Sequence, residues 1–285
     1  MRSAALGVLL LIVLVAAVFT ARTYTTGAVS RRRLDRFAQY QRLQVTVDNG
    51  NQVIRYLATT RRWRAAGFIG GIVASQVGAP PNAIVHFNFI AIFTGWFLGA
   101  LVAEVRVAHL EYGSIRTASL QPRRPRQYVR RFAWALVPAV AVVALATGVA
   151  TAGADVLGWA QPDWPRAGAW LAVALIVAVT VRSIQHAVLR RAQPIAAPDV
   201  IEADDAIRSR SLHVLAGGGA AVVLFMVLNQ LDAVHPVSAG AEQAIEGIQL
   251  LGWFAVALLG WLVSTSIWPP PGATLNRRTP AIGTT

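Results

Sequence analysis

Carboxylates and imidazoles gathered at one end of a set of apolar stretches can hold a divalent cation or a cationic substrate, and this chain has one such group. Asn82, His86 and Asn88 open one long apolar stretch, and Asp155 closes the next. Asn229, Gln230, Asp232 and His235 close a later one. Glu242, Glu246 and Gln249 open the last at i, i+4 and i+7, which is one helix face. The candidate metal or ligand residues are therefore His86, Asp155, Asp232, Glu242 and Glu246. Their spacing matches no metal-binding pattern, and His86 and Asn88 point to different sides of a helix. A hydrated rim with no bound ion explains the same residues, and it is the expectation.

Other chemistry is sparse. The sequence has no cysteine, so disulfides, thiolate metal sites, iron–sulfur clusters and cysteine nucleophiles are excluded. It carries no phosphate-binding loop, no HExxH, no GxSxG and no dinucleotide fingerprint, and nothing calls for a cofactor. Glu104 lies near Arg106 at the end of an apolar stretch, where an interfacial ion pair is the plain reading; His186 and His213 sit beside arginines and read as wet interfacial residues. Pro138 is positioned to kink its helix. Gly95 and Gly99 form a GxxxG, and Gly217, Gly218 and Gly219 lie inside another apolar stretch; these glycines predict close helix packing, within the chain or at a dimer seam.

The elements that carry these residues are membrane spans. Hydrophobic residues make up 55% of the chain, and charged residues 14%, against about 25% in soluble domains. A helix needs roughly 20 apolar residues to cross about 30 Å of hydrocarbon. The pattern predicts an all-α, polytopic integral membrane bundle of about seven transmembrane helices, near residues 4–21, 65–79, 82–105, 132–152, 167–186, 211–230 and 247–267. The second is short and meets the third at Pro80-Pro81, with Trp63 and Arg64 extending it to the interface. The first could instead be a cleaved signal peptide, which charge disfavours.

Every one of the 26 basic residues is arginine, a composition typical of a high-GC bacterial genome. The net charge of +13 would suggest nucleic acid in a soluble protein, but here the arginines flank the spans. Residues 22–64 hold ten, 106–131 seven, 182–210 five and the tail, 268–285, two, so 24 of the 26 fall on one side. Arginine is retained in the cytoplasm. This predicts a bacterial plasma-membrane protein with its N-terminus outside and its C-terminus inside.

Within residues 22–64, Leu34, Phe37, Tyr40 and Gln41 fall at helical spacing, Asp48-Asn49-Gly50-Asn51 is a turn signal, and Val53, Ile54, Leu57 and Arg61 give a second helical face. Two short amphipathic helices result. Arg31, Arg32, Arg33, Arg61 and Arg62 are candidates for docking anionic headgroups or a protein partner, or they serve only to fix topology. The loop 106–131 is interrupted by prolines, and its arginines need no role beyond topology. Residues 198–210, with acids before bases, read as a short cytoplasmic helix running into the sixth span; a coupling helix for an ATPase subunit is an alternative use.

Three functional classes follow. A non-catalytic scaffold or subunit of a membrane complex suits the lack of motifs and the basic segment. A transporter or permease component suits the number of spans and the proline and glycine breaks. An enzyme would need a positioned acid–base pair or metal cluster, and none is legible, so the residues lean away from one.

Overall fold

The computed structural model describes residues 28–77, 88–109, 116–117, 124–191, 193–194 and 197–265. The fold is all-α, joined by short two-stranded ribbons. Among the described residues the helices are α1 (Arg31–Gln41), α2 (Val47–Val77), α3 (Phe89–His109), α4 (Arg131–Val156), α5 (Trp164–Arg190), α6 (Pro198–Asp232) and α7 (Ala239–Thr265). The strands are β1 (Arg116–Thr117), β2 (Ala160–Pro162), β3 (Gln193–Pro194) and β4 (Val234–Pro236).

Among the described residues, five helices are long and apolar enough to cross a membrane: Phe89–Val107, Arg131–Val156, Trp164–Arg190, Pro198–Asp232 and Ala239–Ser264. The expected first span, residues 4–21, and the tail lie outside the described residues. The expected second span falls in α2, which is not one of the five. It carries Arg55, Arg61, Arg62 and Arg64 ahead of its apolar part, which from Ala65 to Val77 is only about 20 Å long at 1.5 Å per residue.

The chain divides into two compact units, Met1–Ser119 with Ala192–Ile207, and Leu120–Arg191 with Arg208–Thr285. In the first, α1 forms because Leu34, Phe37 and Gln41 line one face, with Phe37 and Gln41 buried. It ends at Arg42, which takes a left-handed conformation (φ 51°), and the Leu43 N–H returns to the Ala38 carbonyl at 2.9 Å.

The turn then occupies residues 42–46, not 48–51. Asp48-Asn49-Gly50-Asn51 is the first turn of α2, because Asn49 is used in a reciprocal cap. The Asn49 N–H donates to Thr46 Oγ1 (3.2 Å), and the Thr46 N–H donates to Asn49 Oδ1 (2.8 Å). Nor is α2 short, since it runs 31 residues without a break. Phe37, Leu43, Val53, Tyr56, Val107, Ala203, Ala206 and Ile207 form one buried cluster, with Leu34 and Leu57 against it. The arginine-rich segment therefore has its own apolar core, built from α1, α2, the end of α3 and the start of α6. β1 pairs antiparallel with β3 in the same unit.

Glycines set how closely α2 and α3 approach. A Cβ added at Gly71 would stand 2.6 Å from the Ala91 carbonyl oxygen and 2.7 Å from Ile92 Cα; one at Gly95 would stand 2.7 Å from Gly71 Cα. One at Gly67 would strike the Gly95 carbonyl, and one at Gly99 the Trp63 carbonyl. Gly67-x3-Gly71 thus faces Gly95-x3-Gly99, backbone against backbone.

In the second unit, α4 buries Ala133, Val137, Val140, Ala144 and Thr151, and α5 buries Ala167, Ala174, Ala178, Val181, Gln185, Val188 and Leu189. Both stripes are narrow, and Val142, Val149, Ile176 and Val179 are among the aliphatic side chains left exposed. α6 differs from its neighbours: 94% of its most apolar window is buried, against 19–33% in the other four. Against α7, a Cβ at Gly217 would meet the Ser264 backbone N at 2.7 Å, and Phe225 stacks on Trp253 with centroids 5.4 Å apart. Against α5, a Cβ at Gly219 would meet Val181 Cγ1 at 2.8 Å. Gly218, between them, is buried. β2 pairs antiparallel with β4, Gln161 opposite His235. The Asp163 N–H to Ala233 carbonyl bond (2.8 Å) and the Val237 N–H to Trp159 carbonyl bond (3.0 Å) extend the ribbon at both ends.

Candidate functional site

The basic face is built on a folded frame. Burying Phe37 and Gln41 turns Arg31, Arg32 and Arg36 outward on α1, where they are exposed; Arg33 is half-buried. Farther along α2, Arg62 is exposed and Arg61 half-buried. Arg64 lies over Trp96 (5.6 Å to the ring centroid) and Arg106 over Trp63 (5.5 Å), so two guanidinium–indole pairs join α2 to α3. Arg106 therefore faces Trp63, and Glu104 lies buried on another side of α3, where the Tyr56 hydroxyl approaches Oε1 at 3.5 Å.

The rim residues have separate surroundings. Asp155 accepts a bond from the Trp164 indole N–H at 3.0 Å. Asp232 pairs with Arg166 at 2.6 Å, both about half exposed. Glu242 and Glu246 are exposed on α7, and His235 is exposed on β4. His86 lies outside the described residues. Among the described residues no group of three or more His, Asp or Glu side chains could hold a metal ion.

Buried polar groups of α6 are the residues that the pattern of apolar stretches did not single out. Arg208 is fully buried and donates through Nη1 to the Val188 and Leu189 carbonyls (3.1 and 3.3 Å), closing the end of α5. Ser209 Oγ donates to the Tyr128 carbonyl at 2.8 Å. His213 is buried, with Nδ1 2.8 Å from the Ser209 carbonyl and Nε2 without a partner. Its reading as a wet interfacial residue is corrected by the burial of the whole α6 stretch. His186 is exposed, its ring edge-on to Trp134 at 5.4 Å. Arg182 lies over the same indole at 3.6 Å and donates to the Trp134 carbonyl and to Gln185 Oε1. The available signal was helical register: Arg208, Leu212 and Leu215 fall at i, i+4 and i+7.

One further feature lies in the second unit. A groove of about 220 Å³ is lined by Leu145, Gly148, Ala152, Gly168, Leu171 and Gln230, among others from α4 and α5. No family model matches this chain, and neither the curated proteins nor the solved structures give a match.

Proposed function

We propose that this chain is a non-catalytic, multi-pass scaffold or subunit of a bacterial plasma-membrane complex, with its N-terminus outside, its C-terminus in the cytoplasm and a basic docking module on the cytoplasmic side. The observation that carries the reading is the frame under the arginines. A chain whose arginines serve only to set orientation needs no buried core beneath them. Here Phe37, Leu43, Val53 and Tyr56 pack into one cluster with Ile207, and this cluster holds Arg31, Arg32 and Arg36 outward in a fixed array. Such an array suits anionic headgroups or an acidic protein surface, at about 1 kcal/mol per arginine near a charged membrane. Orientation follows from the distribution of arginines about the spans.

The test is the full-length protein in nanodiscs, with Arg31, Arg32 and Arg36 replaced together by glutamate. The expected result is loss of both the affinity for anionic over zwitterionic lipid and the co-purification of a stoichiometric partner, with unchanged folding. Retention of both would refute the docking reading. A second reading, a transporter or permease component, draws on the buried polar groups of α6 and in particular on His213 Nε2. It predicts a proton or solute flux in proteoliposomes that His213→Leu abolishes; no difference between the two proteins ends it.

A further inference from the structure

At the end of α4 and α5 away from the β2–β4 ribbon, an arginine is held in place with no acid to meet it. Arg182 stacks over the face of the Trp134 indole, and its Nη1 donates to both the Trp134 carbonyl and Gln185 Oε1. A guanidinium stacked this way keeps its edge open for a second ligand. The N–H groups on Nε and Nη2 make no hydrogen bond to a described residue. His186 and Arg190 follow Arg182 at i+4 and i+8 on α5, and Arg131 lies one turn before Trp134 on α4. His186, Arg190 and Arg131 are all exposed.

Nothing in this unit balances that charge. Its carboxylates, Asp155, Asp163, Asp232, Glu242 and Glu246, all lie toward the opposite end, which carries the β2–β4 ribbon. Arg131, Arg182 and Arg190 form no ion pair with a described residue. Depth limits what the missing anion is. Trp164 opens α5, and a Trp at a helix end marks the interfacial level. At 1.5 Å per residue, Arg182 lies about 27 Å farther along the axis, His186 about 33 Å and Arg190 about 39 Å. Hydrocarbon ends after about 30 Å, and headgroups occupy the next several Å. The three side chains therefore bracket the phosphate level of a bilayer. Toward the hydrocarbon the same side of both helices is apolar. Val179 and Leu175 precede Arg182 by one and two turns, and Pro138, Leu145 and Val149 follow Trp134. Leu175 is half-buried and the others are exposed.

We propose that this corner of α4 and α5 binds one phospholipid by its phosphate. Two phosphate oxygens accept from the Nε and Nη2 edge of Arg182, whose fork matches their spacing. His186, Arg190 and Arg131 stand around the phosphate as further donors, and an acyl chain lies along Val179 and Leu175. No covalent step is involved. The occupant is a lipid and not a free phosphate because the apolar strip continues directly from the cations. The site shares no residue with the basic face of α1, so it stands or falls separately from the docking module.

The experiment uses the full chain in a non-ionic, phosphate-free detergent and two probes with the same acyl chains, dioleoylphosphatidylcholine and dioleoylglycerol, of which only the first carries a phosphate. Retention is counted by native mass spectrometry. The phospholipid is expected to be held as one molecule and about tenfold more tightly, the worth of a charge-assisted hydrogen bond. Arg182→Lys, which keeps the charge and loses the fork, should lower that preference several-fold. Arg131→Gln combined with Arg190→Gln should also lower it, and these two side chains make no hydrogen bond to a described residue. Should the Arg182 variant fail to fold, the exposed pair decides. Replacing Arg31, Arg32 and Arg36 by glutamate should leave the preference intact; its loss there would put the lipid on α1 and overturn the proposal. Equal retention of the two probes by the unmodified protein, or a preference that survives both sets of substitutions, overturns it too. So does displacement of the phospholipid by millimolar inorganic phosphate, which would make free phosphate the ligand. Cross-linking of Arg190→Cys, the sole thiol in such a variant, to another polypeptide in native membranes also overturns it, since a protein surface would then cover the cations.

Discussion

Arg208 and Asn49 each satisfy backbone groups that a helix cannot satisfy for itself. The last carbonyls of a helix have no internal partners, and those of Val188 and Leu189 are met by a buried guanidinium. Replacing Arg208 by leucine leaves both without that donor. The expected loss is about 2–3 kcal/mol, because bonds from a charged donor are stronger than neutral ones; unfolding of the purified protein by denaturant measures it. Asn49 is fully buried and does three jobs. It closes the cap with Thr46, and Nδ2 donates to the Gln44 carbonyl (2.9 Å) and the Asp199 carbonyl (3.3 Å). Thr46 Oγ1 in turn donates to Asp199 Oδ2 at 2.5 Å. Asn49→Ala should therefore cost about 1–3 kcal/mol, more than Asp48→Ala beside it, whose side chain is exposed. Equal effects of the two substitutions in a melting experiment would show that the bonds contribute little. Neither role is legible from residue type alone. Asn in Asp-Asn-Gly-Asn reads as a turn residue until the facing carbonyl of Asp199 is known, 150 positions away in the chain.

At the scale of helices, one half of the α2–α3 seam was legible and the other was not. Gly95-x3-Gly99 stands out in an apolar stretch. Gly67-x3-Gly71 sits next to arginines and also contains Gly70, so it reads as a weak helix; it becomes a groove only through the helix that faces it. The added Cβ at Gly70 meets nothing within 4 Å, whereas at Gly99 it strikes backbone. Alanine substitutions at Gly70 and Gly99 should thus have opposite signs. Gly70→Ala should stabilise by up to about 1 kcal/mol through helix propensity. Gly99→Ala should destabilise by about 1–3 kcal/mol, because the two backbones must separate. Thermal unfolding in one detergent compares them directly, and destabilisation by both would mean that α2 and α3 are arranged differently. Helix existence was more legible than helix ends: α4, α5 and α7 begin before their apolar runs, and α6 absorbs the expected cytoplasmic helix into a single element of 35 residues. The ribbons were not legible at all. Strands of two or three residues are too short to show alternation, and β2 pairs with residues more than 70 positions away.

For the whole molecule, composition alone was enough for the all-α membrane class, because among the described residues four of the five long apolar helices present mostly apolar surfaces that water would not tolerate; Phe254 of α7, for example, is 75% exposed. Topology rests on charge. Reporter fusions after residues 60, 120, 200 and 280 are expected to behave as cytoplasmic, and outward activity at residue 120 would show that the chain does not cross between residues 65 and 79. The burial of α6 has a consequence for biosynthesis. A helix enclosed by its own protein does not meet lipid in the finished fold, yet its hydropathy, 2.0, equals that of the more exposed α5. Packing alone does not demand this, since a sheathed helix can carry polar groups such as Arg208 and Ser211. The demand arises earlier, when each segment leaves the translocation channel and must partition into the bilayer before its neighbours exist. The apolar residues of α6 thus serve a moment in synthesis, while its glycines serve the assembled state, and substitutions of the two kinds should fail at different stages: the first as uninserted chain, the second as inserted protein that does not pack.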